Sequence, residues 1–305
     1  MTKLAPIALF VYNRPKHTKK TVEALLKAKL SNQSELYIFS DGAKDNINIE
    51  KVNEVRKYIG TIKGFKNIII HESEKNKGLA DSIIKGISWL FESYNYAIII
   101  EDDILIGNHF LEYMNIALNK YENQSNIYSI SGYAYNLPFN SYFKKSYFLP
   151  TSSNQAWGTW KTVWNKINFT PKNYTLIKSN PILKFRFDLL GGANYSEMLI
   201  NQMEKTNTSS WAIRFRWSQF QSKGLTLFPS KNLVKNIGWD GTGVHCNSTN
   251  PYKENVSYID YEEKCFPEKI KYNFLHFILL IFFFYFIRIK DFYNFRFSKK
   301  KWLTI

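Results

Sequence analysis

The first 130 residues alternate between short apolar runs and segments with helical periodicity, and this order restricts the fold more than any other feature. The apolar runs predict buried strands at 6–13, 35–42, 67–73 and 96–100. Apolar residues that recur every three or four positions predict helices at 17–28, 51–62, 78–93 and 108–121. Because the connections are short, this order predicts an α/β fold, a mostly parallel sheet with helices on both faces.

The rest of the chain is less regular. From about residue 131, Trp, Gly and Asn are frequent, which predicts an irregular layer facing a substrate; an irregular aromatic core is the alternative. The tryptophans concerned are residues 157, 160, 164, 211, 217 and 239. We divide the chain into a regular half (1–130), an irregular half of the same domain (131–250), a linker (251–272) and a tail (273–305).

The protein is basic: among 305 residues, 41 Lys and Arg against 25 Asp and Glu give a net charge of +16. Such an excess predicts an anionic partner, whether nucleic acid, acidic lipid or a phosphorylated substrate. Nucleic acid is disfavoured, because part of the charge lies in the tail and the chain has neither a recognition-helix motif nor an RNP-like motif. The two cysteines form no CxxC pair, so neither a disulfide framework nor a zinc site is predicted, and a reducing compartment fits.

Three consecutive carboxylates, Glu101, Asp102 and Asp103, directly follow the buried run 97–100. Adjacent like charges repel each other and lose hydration, so a positive group is expected beside them, either a metal ion or a neighbouring lysine. Polar residues follow the other strands too: Tyr12, Asn13 and Arg14; Ser40, Asp41 and Gly42; Glu72 and Lys75. Because ligands of parallel sheets bind at the carboxyl ends of the strands, the sequence predicts one polar crevice there. Neither GxGxxG nor GxxxxGK[ST] follows the first strand, which excludes a dinucleotide fold and a P-loop.

The tail combines an apolar run with a basic cluster. Residues 274–287 are apolar except for His276, and six Lys or Arg against one Asp follow from residue 288. This pattern predicts attachment to an anionic cytoplasmic leaflet; the alternative is a terminal helix packed on a partner or on the protein's own core. The apolar run at the N-terminus is too short for a signal peptide. We therefore expect a cytoplasmic protein attached peripherally to the inner face of the plasma membrane.

Several segments of the chain resemble bacterial family-2-like glycosyltransferases with the GT-A fold. They are IALFVYNRPKHTKKTVEAL, FSDG, NKGLADSIIKGI, IIIEDDI, WGTWKTVW, SWAIRFRW and LVKNIGWDGTGVH, and together they cover roughly residues 5–247. The chain is also similar, more distantly, to the inverting Golgi N-acetylglucosaminyltransferase that begins complex N-glycans. The resemblance implies a Rossmann-like GT-A sheet and transfer of a sugar from a nucleotide-sugar donor, with a UDP-sugar favoured. The acceptor implied is a glycan or a lipid-linked molecule, in surface polysaccharide or lipopolysaccharide synthesis.

By this resemblance, residues 1–130 hold the donor and residues 131–250 face the acceptor. It also implies Mn²⁺ or Mg²⁺ on the donor diphosphate, with Asp103 as a metal ligand, since these hard cations prefer oxygen ligands. Such an ion offsets the charge that builds on the leaving nucleoside diphosphate. His245, in GTGVHC, aligns with a loop histidine that reaches the metal or the diphosphate in related enzymes.

The resemblance further implies a nucleoside and sugar site around the strand ends. The residues implied are Tyr12, Asn13, Arg14, Asp41, Lys77, Gly78, Glu101 and Asp102. Among them, Asp41 is expected to accept a hydrogen bond from uracil or ribose. Lys77 is expected to face phosphate, and Gly78 to begin a helix near the sugar.

One position departs from the family pattern. In inverting relatives, an aspartate just before the Trp of the SWAIR-like motif is the general base, whereas this chain has Ser209 and Ser210 there. The pKa of a serine hydroxyl is far too high for it to take a proton from a sugar alcohol at neutral pH. Either another carboxylate acts, the alignment is displaced, or the enzyme is weak or inactive. The last option describes a catalytically impaired nucleotide- or glycan-binding protein of the same fold.

Three carboxylates of the irregular half lie near matched motifs and are candidate bases: Asp188, Glu197 and Asp240. We assign the role to Asp240, which stands beside a glycine in the C-terminal loop. Arg214 and Trp211 complete the predicted catalytic set as residues that shape the site rather than carry the proton.

Overall fold

The structure is a computed structural model and describes residues 4–137, 145–189, 195–205, 210–241, 256 and 262–286. In the regular half, strands and helices alternate as the sequence predicts. Their bounds are β1 Ile7–Val11, α1 Pro15–Lys27, β2 Glu35–Ser40, α2 Asn46–Ile59, β3 Asn67–Glu72, α3 Leu79–Ser93, β4 Tyr96–Glu101 and α4 Phe110–Lys120. A short strand that the pattern did not indicate, β5 Ile104–Ile106, lies between β4 and α4.

The elements from β6, at the end of the regular half, onward are shorter. They are β6 Ile127–Ser131, β7 Tyr147–Leu149, β8 Trp157–Trp160, α5 Lys161–Trp164, α6 Leu176–Ser179, α7 Pro181–Leu189, α8 Tyr195–Glu204, α9 Trp211–Gln221, β9 Leu225–Phe228 and β10 Val234–Asn236. The apolar part of the tail forms a further helix, α10, at 274–286. The short 3₁₀ turns are Ser31–Gln33, Lys172–Thr175 and Glu263–Cys265.

The central sheet has the strand order β3-β2-β1-β4-β8-β6-β9-β7. Its first four strands are mutually parallel, and β6 is parallel to β9, whereas β8 and β7 run antiparallel to their neighbours. A second sheet consists of β10 antiparallel to β5. The predicted α/β class with a mostly parallel sheet is confirmed.

The register of the parallel strands brings their carboxyl ends to the same level. Val11 of β1 lies opposite Ser40 of β2, which lies opposite Glu72 of β3. On the other side of β1, Phe10 lies opposite Glu101 of β4. The polar segments that follow these strands therefore begin along one edge of the sheet, which is the arrangement that the crevice prediction requires.

Helix α2 begins before residue 51, where the apolar spacing predicts its start. The Asp45 carboxylate accepts a hydrogen bond from the backbone N–H of Asn48 at 3.1 Å, which supplies a partner to one of the amides in the first turn. Ile47 in that turn is 85% exposed. Since the first turn buries no apolar residue, the spacing alone could not locate it.

The aromatic residues of the irregular half are largely internal. Five of the tryptophans, residues 157, 160, 164, 211 and 217, are at most 4% exposed. A small second core lies between α6, α7, α8 and α9, and its buried members are Ile177, Phe187, Leu199, Ile213 and Trp217. For these five tryptophans the aromatic-core alternative describes the structure better than a substrate-facing layer does.

Helix α10 packs one face against the main core. His276, Leu280 and Phe284 recur every four residues on this inner face and are 0%, 2% and 8% exposed. The His276 ring stacks on Tyr147 of β7, with 3.8 Å between the ring centroids, and Phe284 meets Tyr135 edge-on at 5.4 Å. The inner face therefore follows the alternative in which the tail packs on the protein's own core.

The chain enters α10 along strand β7. Tyr272 forms a parallel bridge with Phe148, and the N–H of Asn273 donates to the carbonyl oxygen of Phe148 at 2.9 Å. These contacts hold the start of α10 against β7, the last strand in the order of the central sheet.

The opposite, outer face of α10 is also apolar, but it is exposed. Its residues, which are between 48% and 69% exposed, are Phe274, Leu275, Phe282, Tyr285 and Phe286. The predicted basic cluster that follows lies outside the described residues. Within the described part of the chain, no helix has the length and hydrophobicity that crossing a bilayer demands.

Leu280 on the inner face of α10 and Leu275 on its outer face provide a matched test of this packing. We expect Leu280→Ala to lower the free energy of unfolding by about 2–5 kcal/mol, because it removes buried methyl groups and leaves a cavity. Leu275→Ala, on the 54% exposed side chain, is expected to change it by no more than about 0.5 kcal/mol. Urea unfolding followed by circular dichroism measures both, and equal effects would contradict the packing of α10 described above.

His276 makes the stability depend on pH. Burial lowers the pKa of this imidazole to about 4, below its ordinary value of about 6.5. As the pH falls from 6.5 to 4, the unfolded chain takes up the proton first, so the folded state loses stability in that window. Between pH 7 and pH 5, we expect the wild type to lose about 2 kcal/mol more than His276→Phe does. Urea unfolding at both pH values measures the difference, and parallel losses in the two proteins would refute it.

Candidate active site

Arg14, which follows the carboxyl end of β1, lies beside the acidic residues at the end of β4. The Arg14 guanidinium lies 2.8 Å from Asp103 Oδ2 and 3.6 Å from Asp102 Oδ1. The N–H of Tyr12 donates to Asp102 Oδ2 at 3.4 Å, and the Thr21 hydroxyl of α1 donates to the Asp102 carbonyl oxygen at 2.8 Å. The positive group that the three carboxylates require is therefore, in part, Arg14.

A second segment covers the motif from the C-terminal side. Pairing of β10 with β5 continues into a hydrogen bond from the N–H of Ile237 to the Asp103 carbonyl oxygen at 2.8 Å. The N–H of Gly238 then donates to Asn236 Oδ1 at 2.7 Å. A Cβ atom on Gly238 would lie only 2.2 Å from Asp103 Oδ2 and 3.1 Å from Arg14 Nη2. A side chain at position 238 would therefore have to displace the end of Asp103.

The same segment places Asp240 opposite His17 of α1. His17 Nε2 lies 3.1 Å from Asp240 Oδ2, and the side chains are 15% and 43% exposed. The sequence did not indicate His17, which lies in the first turn of α1, three residues after Arg14 at the N-cap. The crevice thus brings together the predicted residues Arg14, Asp102, Asp103 and Asp240, with His17 added.

Burial raises the pKa values of all three carboxylates. It brings the pKa of Glu101 to about 8, with further increases from Asp103 and Asp102 that Arg14 opposes. The pKa of Asp102 is raised to about 7, by burial first and then by Asp103. For Asp103, burial raises the pKa while Arg14 and His17 lower it. The guanidinium of Arg14 therefore only partly opposes the effect of burial on these carboxyl groups.

The donor atoms available fit a divalent cation that is shared with a substrate. Among the described residues, no three His, Cys, Asp or Glu are grouped so as to hold a metal ion by themselves. Mg²⁺ needs less, because it usually takes one or two carboxylates and completes its shell with water and phosphate oxygens. The Asp102 and Asp103 side chains, 12% and 14% exposed, meet that smaller requirement. The predicted ligand His245 lies outside the described residues.

Asp41 is engaged by the loop that precedes α3. Its carboxylate accepts hydrogen bonds from the N–H groups of Gly42, Lys77 and Gly78, each at 2.9 Å, and from Asn76 Nδ2 at 3.1 Å. These four donors match the roughly four lone-pair positions of a carboxylate. Asp41 thus shapes the backbone at Lys77 and Gly78, and its predicted contact with uracil or ribose stays a prediction.

Arg56 of α2 ties the ends of β2 and β3 together. Its guanidinium donates to the Ser73 carbonyl oxygen at 2.7 Å and to Ser40 Oγ at 3.3 Å, and lies 3.5 Å from Glu72. The apolar periodicity that predicted α2 contained no information about this side chain, because a polar face of a helix does not show which strand it touches.

The other predicted residues occupy varied positions. The N–H of Lys44 donates to the Tyr12 hydroxyl at 3.0 Å, and the Asn13 side chain hydrogen-bonds to Asn48. The indole of Trp211, 3% exposed, stacks on Trp157 with 5.0 Å between centroids. Trp211 therefore lies in the core, and any effect that it has on the shape of the site is indirect.

Arg214 belongs to α9 and is fixed by backbone oxygens. Its Nε donates to the Ser210 carbonyl oxygen at 2.9 Å, and its Nη1 to that of Phe169 at 3.1 Å. Burial lowers the pKa of the guanidinium, and Asp81, in the first turn of α3, opposes the change. The structure thus places Arg214 toward the start of α3. The neighbouring Ser209 lies outside the described residues.

Comparison with known proteins identifies one family. The model of Glycosyl transferase family 2 matches residues 7–179, which include the Arg14 and Asp103 pair. No curated protein matches the chain.

Three solved structures to which this chain is similar share little sequence with it. One is the mannosyltransferase PcManGT from Pyrobaculum calidifontis in complex with GDP-Man and Mn²⁺, with 9% identity, a TM-score of 0.42, and coverage of 72% of this chain and 70% of that one. Another is TarS from S. aureus, with 12% identity, a TM-score of 0.42, and coverage of 77% and 37%. A third is a UDP-glucose pyrophosphorylase complexed with UDP-glucose, with 9% identity, a TM-score of 0.37, and coverage of 74% and 90%.

Gly238 tests the geometry of this crevice. In Gly238→Ala the new methyl group must displace the end of the Asp103 side chain, which can move without unfolding the protein. We expect a loss of activity of roughly tenfold or more with a change in the free energy of unfolding of about 1 kcal/mol or less. Gly60→Ala is the control, since its Cβ would have its nearest neighbour at an ordinary 3.5 Å. Full activity in Gly238→Ala would show that the backbone does not approach Asp103 as described.

Proposed function

The chain belongs to glycosyl transferase family 2, and we propose that it moves a sugar from a nucleotide-sugar donor, a UDP-sugar above all, to a hydroxyl of a glycan or lipid-linked acceptor. The observation that carries this proposal is the convergence of Arg14, Asp102 and Asp103 at the carboxyl ends of β1 and β4. Open parallel sheets bind their ligands at this edge, and the family match covers both strands.

The donor is assigned to the edge formed by β1, β2 and β4. Tyr12, Asn13 and Arg14 leave β1 there, and the loop shaped by Asp41 presents the N-terminal end of α3. A helix N-terminus favours negative charge, so Lys77 and Gly78 suit the diphosphate side of the donor. Glu101 and Asp102, at the carboxyl end of β4, complete the proposed donor site.

We propose that Mn²⁺ or Mg²⁺ accompanies the donor, with Asp103 as its principal ligand and Asp102 beside it. The support is geometric: the carboxylates of Asp102 and Asp103 lie together at the strand ends and share the single guanidinium of Arg14, at 3.6 and 2.8 Å. When bound, such an ion offsets the negative charge on the departing diphosphate. Arg14 offers a further positive charge at the same place.

The reaction requires a group that takes the acceptor's proton. The acceptor oxygen forms a bond to the anomeric carbon of the sugar while the bond from that carbon to the diphosphate oxygen breaks, and the hydroxyl proton leaves the acceptor oxygen. We assign the proton to Asp240, whose carboxylate is 43% exposed and is held by His17 at 3.1 Å. A base fixed by a neighbouring group in this way can be presented to an acceptor without losing its orientation.

The place of action follows from the acceptor and the tail. We propose that the protein works in surface polysaccharide or lipopolysaccharide synthesis, in the cytoplasm, attached peripherally to the inner face of the plasma membrane. The support is the basic cluster of residues 288–301, whose charge suits an anionic leaflet.

The decisive experiment compares wild type with Asp103→Asn in donor hydrolysis and transfer. A panel of nucleotide sugars, led by UDP-sugars, is assayed with Mn²⁺, with Mg²⁺ and with EDTA. We expect Asp103→Asn to lower kcat/KM by on the order of a hundredfold or more and EDTA to do the same to the wild type. Glu92→Gln, on the exposed side of α3, is the matched control and should retain full activity.

The same assay separates the roles and the alternatives. Asp240→Asn should lower kcat for transfer by roughly a hundredfold or more while leaving the affinity for the donor unchanged. Wild-type turnover that survives both EDTA and Asp103→Asn would remove the metal proposal. Binding of a nucleoside diphosphate by calorimetry without any product would instead favour the impaired binding protein, which Ser209 and Ser210 in place of the family's aspartate motivate.

A further inference from the structure

The outer face of α10 is an apolar surface at the acceptor-side end of the molecule. Its five residues, defined above as Phe274, Leu275, Phe282, Tyr285 and Phe286, expose about half or more of their side chains. At 100° per residue, they fall on the side of the helix directly opposite His276, Leu280 and Phe284. A contiguous patch of large apolar side chains marks a contact surface, because water is a poor solvent for it.

We propose that this outer face lies in the interfacial layer of an anionic lipid membrane, with α10 parallel to the membrane plane. The inference rests on the peripheral membrane location proposed above and adds the surface and orientation of the contact. In this orientation the apolar side chains lie at the boundary between the headgroups and the acyl chains, which is the depth at which in-plane helices are typically buried.

The packing of the inner face determines the orientation. His276 stacks on Tyr147, Phe284 meets Tyr135, and the backbone at Asn273 is hydrogen-bonded to Phe148. A helix held along its length by the protein presents only its other side, so lipid can cover the outer face but cannot surround the helix. The membrane contact is therefore part of the folded domain rather than of a detached anchor.

Charge identifies lipid as the occupant rather than a second apolar protein surface. Immediately before α10, Lys269 and Lys271 are exposed, and the adjacent Glu268 is paired with Lys120 at 2.9 Å. Immediately after its described part, residues 288–301 contain six Lys or Arg and one Asp. Basic residues that flank an apolar face in the sequence match a surface with acidic headgroups above acyl chains.

The position of this surface in the fold matches a lipid-linked acceptor. Strand β7, on which α10 packs, ends the sheet on the side away from β3, and the strands β8 and β9 of the irregular half lie, with β6, between it and β4. The donor edge is formed by β1, β2 and β4. A membrane at α10 thus approaches the molecule from the half assigned to the acceptor.

The test is flotation of the full-length chain with vesicles of phosphatidylcholine containing about 30% phosphatidylglycerol, set against vesicles of phosphatidylcholine alone. We expect the double variant Phe282→Ser, Phe286→Ser to bind the anionic vesicles roughly tenfold or more weakly than wild type. Phe185→Ser, which changes a 58% exposed phenylalanine on α7, is the matched control and should bind as wild type does. Serine adds no charge, so a loss cannot be attributed to repulsion by the lipid.

Two further measurements make each outcome decisive. Donor hydrolysis by the double variant should equal that of wild type, which shows that the fold is intact and separates failure of this inference from failure of the proposed function. Light scattering should find wild type and double variant in the same oligomeric state. Equal vesicle binding by the double variant overturns the inference, as does a wild-type dimer that the double variant converts to monomer, since the surface would then meet a second copy.

Discussion

The ion pair between Arg14 and Asp103 depends on the parallel pairing of β1 with β4. Their register puts Phe10 opposite Glu101, so that the residues beyond the two strands meet within hydrogen-bonding distance. Antiparallel pairing would send the two segments to opposite edges of the sheet. The acidic motif can be buried because this arrangement supplies a guanidinium and the N–H of Tyr12. The segment that follows β10, at Ile237 and Gly238, also packs against this pair.

Much of this could be predicted from the sequence because the regular half is governed by local patterns. Buried parallel strands are continuous apolar runs, and the helices between them have a polar and an apolar face, so their order predicts the sheet. Polar residues after such strands then have to meet, and Arg14 does lie beside Asp102 and Asp103. The assignments of metal ligand and base remain predictions.

The residues that the sequence did not reveal depend on contacts between distant segments. His17 faces Asp240 only because β10 pairs with β5, a strand of three residues that has no distinct pattern. Arg56 donates to a backbone carbonyl oxygen, and Asp41, although predicted as a site residue, accepts from backbone N–H groups that the sequence did not indicate, because a backbone partner leaves no trace in residue type. The tryptophans mislead for a different reason: aromatic composition is the same whether a ring stacks on a sugar or on Trp157.

The docking of α10 on β7 has a consequence for solubility. A terminal strand presents a row of backbone N–H and C=O groups that can template pairing with another chain. Here Tyr272 and Asn273 already take up positions along Phe148, so part of that row is occupied from within. The helix therefore protects the sheet from strand addition and the onset of aggregation, and a chain shortened before residue 272 would lose this protection together with the inner face.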